Sequence, residues 1–401
     1  MRAAAPWGTE ESGLGHFPKS PKPAAPVHLL ADLSPLFIGN VCRLGRSAAL
    51  RRYRRQGLLR ADFASFAAHC FRELNPRTPF APNWHHEFIA AKLAAVRDGR
   101  IRRLIINVPP RHLKSHLASV AFPAWCLGLE PGLQILCVSY AQDLADKLSR
   151  DCRQIVASAW YRQLFATRLS AQRQAMAEFE TTAQGCRLAT SVGGVLTGRG
   201  ADIIVIDDPL KPEEALSQTQ RQAANEWFDH TLYSRLNDKQ KGAIILIMHR
   251  LHEDDLAGHV MAQEDWDVVR FPAIAEDDEA WMLETALGPE SFTRQRGEAL
   301  HPERQPVASL DQIRHTIGEY NFAGQYQQMP APQGGGMVKA GGSAVMQRTS
   351  GPRSSIASCR AGTLPTRPPS SAISASAPAG ASRAKTSTCC TYCASGWNIP
   401  S

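Results

Sequence analysis

The residues best placed to do chemistry lie where an apolar run meets a basic, hydroxyl-bearing loop, LIINVPPRHLKSHLAS at 104–119. A phosphate-binding loop needs a strand, a tight turn, and then Lys and Ser or Thr at a helix start, because loop amides and helix N-termini attract anions. Lys114 is predicted to reach the β- and γ-phosphates, and the Ser115 hydroxyl to ligate Mg²⁺. Val108 and Leu113 stand where such loops usually carry glycine, so a proline-rich turn with exposed charges stays open as the alternative.

A second candidate is the pair of acids that ends the apolar run IIVIDDP at 203–209. Ligands of open α/β sheets bind at the carboxyl ends of the strands. Asp207 is predicted to be the metal-side acid, and Asp208 to orient the attacking water beside the phosphates. A strand ending in two acids is common by itself, but its occurrence after RHLKS in one alternating pattern makes the combination far more specific.

A third candidate is the charged turn that follows the apolar run IILIMH at 244–249. His249 and Arg250 leave the end of this run, where they could sense the γ-phosphate and pass its loss to a DNA-gripping part. An ordinary polar strand end is the alternative. The segment TGRG at 197–200 is either a phosphate-contacting loop or a simple turn.

These residues need a sheet to bring them together, and the chain supplies apolar runs that alternate with helical patterns. Strands are predicted at 103–108, 133–140, 201–209, 242–249 and 266–274, and helices at 84–99, 115–129, 141–158 and 212–236. A polar hairpin is expected around 178–190. Alternation of this kind predicts an α/β fold with a mostly parallel sheet that helices flank on both faces.

The chain divides by composition into five parts. They are a Pro- and Ala-rich arm predicted to be disordered (1–35), a helical N-terminal region (36–100), the ATPase core (101–275), a connector that is loop-like over 316–336 (276–340), and a Ser-, Arg- and Pro-rich tail without periodicity (341–401). Such a tail does not fold by itself.

Composition restricts the class of protein. No run of about 18 apolar residues and no secretory signal is present, which favours a cytoplasmic protein without a membrane partner. The net charge of +8 comes from the ends, because residues 1–60 hold ten Lys and Arg against three acids and residues 340–401 hold six against none. The arginines at 51, 52, 54 and 55 suit either phosphate contact or a solvated helix face. The singly spaced cysteines predict buried small hydrophobic residues rather than a zinc site or disulfides.

The ordered set NWHHEF, PPRHLKS, TGRGADIIVIDDP and IMHRLHEDDLAG resembles the large subunit of tailed-phage and prophage terminases, the DNA-packaging motor, over roughly residues 55–335. The resemblance implies an ASCE-type (RecA-like) P-loop ATPase domain followed by an RNase H-like nuclease domain. It implies ATP and Mg²⁺ as cofactors. It also implies double-stranded DNA, a portal protein, a terminase small subunit and a homo-oligomeric ring as partners inside a host cell.

The resemblance also implies residue roles. Its phosphate loop comprises Arg111, His112, Leu113, Lys114 and Ser115, and Arg111 also stabilises the transferring phosphoryl group in cis. Asp207 and Asp208 match the Walker B acids, and Met248 to Arg250 match the coupling motif. His85, with Trp84 and His86, matches the region near the adenine, although a packing role for Trp84 is an equal alternative.

The C-terminal part departs from this family. YNFAGQYQQMPAP at 320–332 resembles the linker to the nuclease domain, but no acidic residue follows Glu319. Because that nuclease binds two metal ions through clustered carboxylates, we expect its activity to be missing, and we hypothesise that the reading frame is lost near residue 340. The competing functions are a P-loop helicase or translocase of another group and an inactive prophage remnant.

Overall fold

A computed structural model of the chain describes residues 46–285 and 288–330. The predicted arm at 1–35, the last part of the connector and the tail at 341–401 lie outside the described residues. The same holds for Cys42 and for the four cysteines beyond residue 350. The hypothesis of a lost reading frame therefore stays a prediction from sequence.

Ten α-helices run through the described residues. They are α1 (Arg46–Ala61), α2 (Phe63–Leu74), α3 (Trp84–Arg97), α4 (Phe122–Leu129), α5 (Gln142–Ala157), α6 (Ala159–Leu164), α7 (Gln218–Trp227), α8 (Leu256–Met261), α9 (Val307–Ile317) and α10 (Glu319–Gln325). Ten strands accompany them. They are β1 (Arg103–Asn107), β2 (Gln134–Ser139), β3 (Leu169–Gln174), β4 (Glu178–Thr181), β5 (Cys186–Ser191), β6 (Ile203–Asp207), β7 (Ala243–Met248), β8 (Asp267–Arg270), β9 (Glu279–Thr285) and β10 (Gly288–Arg294).

Eight of the strands form one sheet in the order β3-β4-β5-β2-β6-β7-β1-β8. The six strands from β5 to β8 pair in parallel, whereas β3, β4 and β5 pair antiparallel at the other edge. The five predicted parallel strands and the hairpin around 178–190 are thus confirmed, as is the α/β fold class. In this order β7 lies between β1 and β6, so the carboxyl ends of all three meet at one edge.

The central strands form because helices cover both faces of the sheet. Every residue of β6 and of β7 is buried, and both strands consist almost wholly of branched apolar residues. Side chains of one strand alternate between the faces. Leu104 and Ile106 join a core with α2 to α5, while Ile105 joins a second core with α8. This two-sided burial fixes the register that the site needs.

The helix that follows β1 does not begin as a regular α-helix. One helix is predicted over 115–129, but a π-helical segment occupies His116–Ala121 before α4 begins at Phe122. Pro123 follows this segment within a helix that is continuous from Lys114, so it removes one intrahelical hydrogen-bond donor where the π-helical turns end. The π-helical segment therefore lies directly after the predicted phosphate loop, and π-helical turns occur frequently at functional sites.

Two sequence-based boundaries are wrong. The helix predicted over 212–236 divides into α7 and flanking short 3₁₀ and π segments up to Arg235. The segment 316–336, predicted to be loop-like, contains α10. It forms there because Phe322 is completely buried and stacks on Tyr326, with ring centroids 5.1 Å apart. Tertiary burial thus stabilises a helix too short to be recognised by periodicity.

Other elements follow from local signals. Asn83 caps α3, since its side chain accepts a hydrogen bond from the His85 N–H. The cysteines at 70, 126, 137 and 152 are buried and free, as predicted, whereas Cys186 is half-buried. Among the residues that the structure describes, no helix is both long enough and apolar enough to cross a membrane.

Candidate functional site

The loop between β1 and the next helix is tight, and two of its residues have left-handed backbone. Arg111 has a φ of 67° and Leu113 a φ of 61°. This region is unfavourable for residues that carry a β-carbon. Hydrogen bonds hold the turn, because the side-chain amide of Asn107 donates to the Met248 carbonyl at 3.0 Å and His112 Nδ1 lies 3.0 Å from the Pro110 carbonyl. The loop therefore keeps the backbone that glycine normally supplies, without glycine.

The Lys and Ser at the start of the helix contact the two predicted acids. Lys114 Nζ lies 2.6 Å from Asp208 Oδ1, and the Ser115 hydroxyl donates to Asp207 Oδ1 at 3.0 Å. Lys114 is 7% exposed, so its ammonium group is confined to this edge of the sheet. Residues more than 90 positions apart in sequence thus form one polar centre.

The two neighbouring acids are held in different environments. Asp207 is 1% exposed and also accepts the Ser119 hydroxyl at 2.6 Å. Burial raises the pKa of Asp207 to about 6, and the adjacent Asp208 carboxylate contributes to that rise. Burial also raises the pKa of Asp208, but the Lys114 ammonium and a hydrogen bond from His249 outweigh this effect and hold that pKa below its usual range. Asp208 is therefore the acid that stays ionised, and its φ of 45° directs it away from the strand.

His249 completes the centre from the end of β7. Its Nδ1 lies 2.9 Å from Lys114 Nζ and 3.3 Å from Asp208 Oδ1. Burial lowers the pKa of His249, and the nearby ammonium lowers it further, so the ring is neutral.

Arg250 turns away from this centre and is fixed by other contacts. Its Nε donates to both carboxylate oxygens of Asp255, at 2.9 and 3.0 Å, and that carboxylate is completely buried. The Arg250 backbone N–H donates to Gln328 Oε1 at 3.0 Å. A β-carbon on Gly324 of α10 would lie only 2.9 Å from the Arg250 carbonyl. The turn after β7 is thus fastened to the last described helix.

A cleft of about 610 Å³ opens in front of these groups. Of the predicted residues, it is lined by Arg111, Leu113, Lys114, Ser115, Asp208 and His249. It is also lined by residues that the sequence did not indicate, namely Asn75 and Thr78 after α2, Lys147, Asp151 and Gln154 of α5, and Arg304 before α9. The cleft therefore has a mixed polar and apolar lining and carries several cations, as a site for a polyanion requires.

Two predicted nucleotide contacts lie elsewhere. His85 is completely buried and His112 is 2% exposed, so neither ring faces the cleft. Trp84 stacks on Phe292 with ring centroids 5.9 Å apart and meets Phe271 edge-on. These contacts agree with the alternative in which Trp84 has a packing role. The role of this region near the adenine stays a prediction from the resemblance.

Ser119 belongs to the centre although the sequence reasoning missed it. It lies four residues after Ser115, so both hydroxyls project from the same side of the helix toward Asp207. The fully buried Arg187 of β5 donates from Nη2 to the Ser119 carbonyl at 3.0 Å. The i, i+4 spacing of the two serines is the signal that could have revealed this residue.

The parallel sheet, the loop and the strand-end acids together define the fold class of the protein, an α/β fold of the P-loop type. The model of the family described as "Terminase large subunit, T4likevirus-type, N-terminal" matches residues 105–305. This segment is half of the chain and holds all of the polar centre. The chain belongs to the terminase large subunit family.

Several solved structures are similar to the chain. An ATPase-domain variant of the Thermus phage P74-26 large terminase is 14% identical, covers 65% of this chain and 98% of that one, and has a TM-score of 0.39. The HK97 bacteriophage large terminase is 12% identical over 52% of this chain and 43% of its own, with a TM-score of 0.33. A large terminase from a thermophilic bacteriophage, solved in complex with ADP, is 9% identical over 57% of this chain and 75% of its own, with a TM-score of 0.23. No curated protein sequence matches.

Proposed function

We propose that this chain binds ATP with Mg²⁺ in the cleft of Lys114 and uses hydrolysis to move double-stranded DNA, as the motor subunit that packages a phage genome. The observation that carries the proposal is the contact of Lys114 with Asp208 and His249 beside the contact of Ser115 with Asp207. A lysine and a serine from one loop, two acids from the end of one strand and a histidine from the end of another form one polar centre, and all of them except Asp207 line the cleft.

The residues of the phosphate loop and of the helix that follows it suit a nucleoside triphosphate. The left-handed residues Arg111 and Leu113 alternate with the others of the loop, and such alternation turns successive backbone N–H groups toward one anion. The helix that begins at Lys114 adds the positive end of its dipole. Lys114 then stabilises phosphate charge directly, and Arg111, which lines the same cleft, is placed to stabilise the group being transferred.

The same residues suit Mg²⁺, which prefers oxygen ligands and keeps several waters. The Ser115 hydroxyl lines the cleft, and the buried Asp207 carboxylate lies directly behind it, with their oxygens 3.0 Å apart. We assign these two side chains as the ones that hold the ion. Bound there, Mg²⁺ neutralises charge that develops on the phosphates. The Ser119 hydroxyl keeps the Asp207 carboxylate in one orientation for this task.

Asp208 is the residue that we assign to the attacking water. It faces the cleft and is ionised, because Lys114 and His249 hold its pKa low. A carboxylate in this position orients the attacking water. His249 is a positioning residue, since it contacts both the lysine and this carboxylate, and with Arg250 it links the cleft to α10.

The experiment is steady-state ATP hydrolysis by the full chain with Mg²⁺, with and without linear duplex DNA. Lys114→Ala and Asp207→Ala should each lower kcat by about 100-fold or more, because each removes transition-state stabilisation. The matched controls are Lys92→Ala and Asp267→Ala, which break a half-exposed ion pair of 2.8 Å between α3 and β8. These controls should keep full turnover.

Three results would contradict parts of the proposal. Folded wild-type protein that does not hydrolyse ATP would indicate that the chain is an inactive remnant of the family. Turnover that survives Lys114→Ala would place the reaction elsewhere. Strand separation of a forked duplex, in place of stimulation by intact duplex, would identify a helicase.

A further inference from the structure

Three histidines meet in the interior behind the phosphate loop, away from the nucleotide cleft. His85 and His86 lie in the first turn of α3, and His301 lies between β10 and α9. They are 0%, 5% and 2% exposed. One ring nitrogen from each can be chosen so that all three lie within 4.8 Å of one another. Three buried imidazoles thus come together in one place.

Hydrogen bonding shows which nitrogen of His85 is available. Its Nδ1 lies 2.5 Å from Asn83 Oδ1, and the same oxygen accepts the His85 backbone N–H at 3.3 Å. Because this oxygen accepts, Nδ1 must carry the proton and donate, which leaves a lone pair on Nε2. This is the arrangement in which a second residue orients a metal-binding imidazole.

The remaining ring nitrogens lack the partners that buried polar groups normally have. Within the described part of the chain, no hydrogen-bond partner contacts His85 Nε2 or either ring nitrogen of His86 and of His301. Burial lowers the pKa of all three rings, that of His86 to about 3. Neutral imidazole is the form that binds metal ions.

We propose that His85, His86 and His301 form a binding site for a divalent transition-metal ion of the zinc class. Imidazole nitrogen suits Zn²⁺, Ni²⁺, Cu²⁺ and Co²⁺ and does not suit Mg²⁺. Zinc–nitrogen bonds of about 2.0–2.1 Å put two ligand atoms of a tetrahedral site about 3.4 Å apart, so the nitrogens have to approach by no more than about 1.4 Å.

The site would connect three parts of the molecule. His112 of the phosphate loop lies beside it, with ring centroids 5.3 Å from His85 and 6.5 Å from His301. Arg304, which lines the nucleotide cleft, follows His301 by three residues. A bound ion therefore fixes α3 and the His301 segment against the back of the loop. This role is structural and does not depend on hydrolysis.

The test is metal binding by the full chain without an affinity tag, after chelator treatment. We expect calorimetry to show one Zn²⁺ per chain, with unchanged affinity in the presence of millimolar Mg²⁺. His301→Phe, which keeps an aromatic ring and removes both nitrogens, should weaken binding by about tenfold or more. The matched control His230→Phe replaces an exposed histidine and should bind as the wild type does.

Wild-type protein alone also decides the question if a variant fails to fold. Co²⁺ bound by imidazoles gives d–d absorption without the thiolate charge-transfer band that any of the ten cysteines would add. Absence of stoichiometric binding, a thiolate band, or equal affinity in His301→Phe would each overturn the proposal. Lys114→Ala should retain the metal, so a failed ATPase assay and a failed metal assay are separate results.

Discussion

Leu113 occupies a position in the phosphate loop that its own side chain disfavours. Its φ of 61° is left-handed, and a β-carbon there costs about 1–2 kcal/mol. Glycine avoids this cost but loses about 0.5–1 kcal/mol more conformational entropy than alanine on folding. Leu113→Gly should therefore be more stable than Leu113→Ala by about 0.5–1 kcal/mol. Both variants lose the same half-buried side chain, so their difference isolates the backbone.

The assay is urea unfolding of the two variants at equal protein concentration, with the free energy of unfolding compared at a common slope. Ala223→Gly, at an exposed position of α7, is the control of opposite sign, because glycine in a helix interior costs about 1 kcal/mol. Equal stability of the two Leu113 variants would refute the reasoning. It would mean that the loop is not held in left-handed conformation at this residue in solution.

Two further predictions concern buried partners. Asp255→Ala should destabilise the fold by about 3–5 kcal/mol, because it leaves the Arg250 guanidinium without its buried carboxylate. Asp254→Ala, at a side chain 79% exposed, should change the free energy of unfolding by no more than about 0.5 kcal/mol. Both variants are compared with the wild type by thermal unfolding. Ser119→Ala should cost about 1.5–3 kcal/mol at a pH of about 8, where Asp207 is charged and accepts its hydroxyl at 2.6 Å. Ser149→Ala removes a buried hydroxyl with no partner among the described residues, so a loss there as large as at Ser119 would contradict the assignment.

The central strands could be predicted because a strand that is buried on both faces carries an apolar residue at almost every position. The runs that became β6 and β7 contain no polar residue before their ends, and their bounds were correct to within two residues. The hairpin of β9 and β10 could not be predicted in the same way. Its residues alternate irregularly, and Trp281 is placed by contact with Trp84 and Phe88 of a helix nearly 200 positions away.

The residues of the site also fall into those that local sequence patterns predict and those that they do not. Lys114, Ser115, Asp207 and Asp208 belong to local patterns at strand ends, and the structure brings them into contact as expected. Arg304 reaches the cleft from a segment without any pattern. His85 shows the limit of analogy, because the resemblance implied a place near the adenine while its ring is completely buried. Only a three-dimensional arrangement could show that it meets His301.

The attachment of Gln328 to the backbone of Arg250 has a mechanical consequence. His249, which contacts the lysine of the cleft, and Arg250, whose N–H holds Gln328, are joined by a single peptide unit. Because a peptide unit is planar and stiff, a backbone shift at His249 would also move that N–H and its hydrogen bond to Gln328. We therefore expect a backbone change at the end of β7 to reach both the cleft and the segment that follows α10.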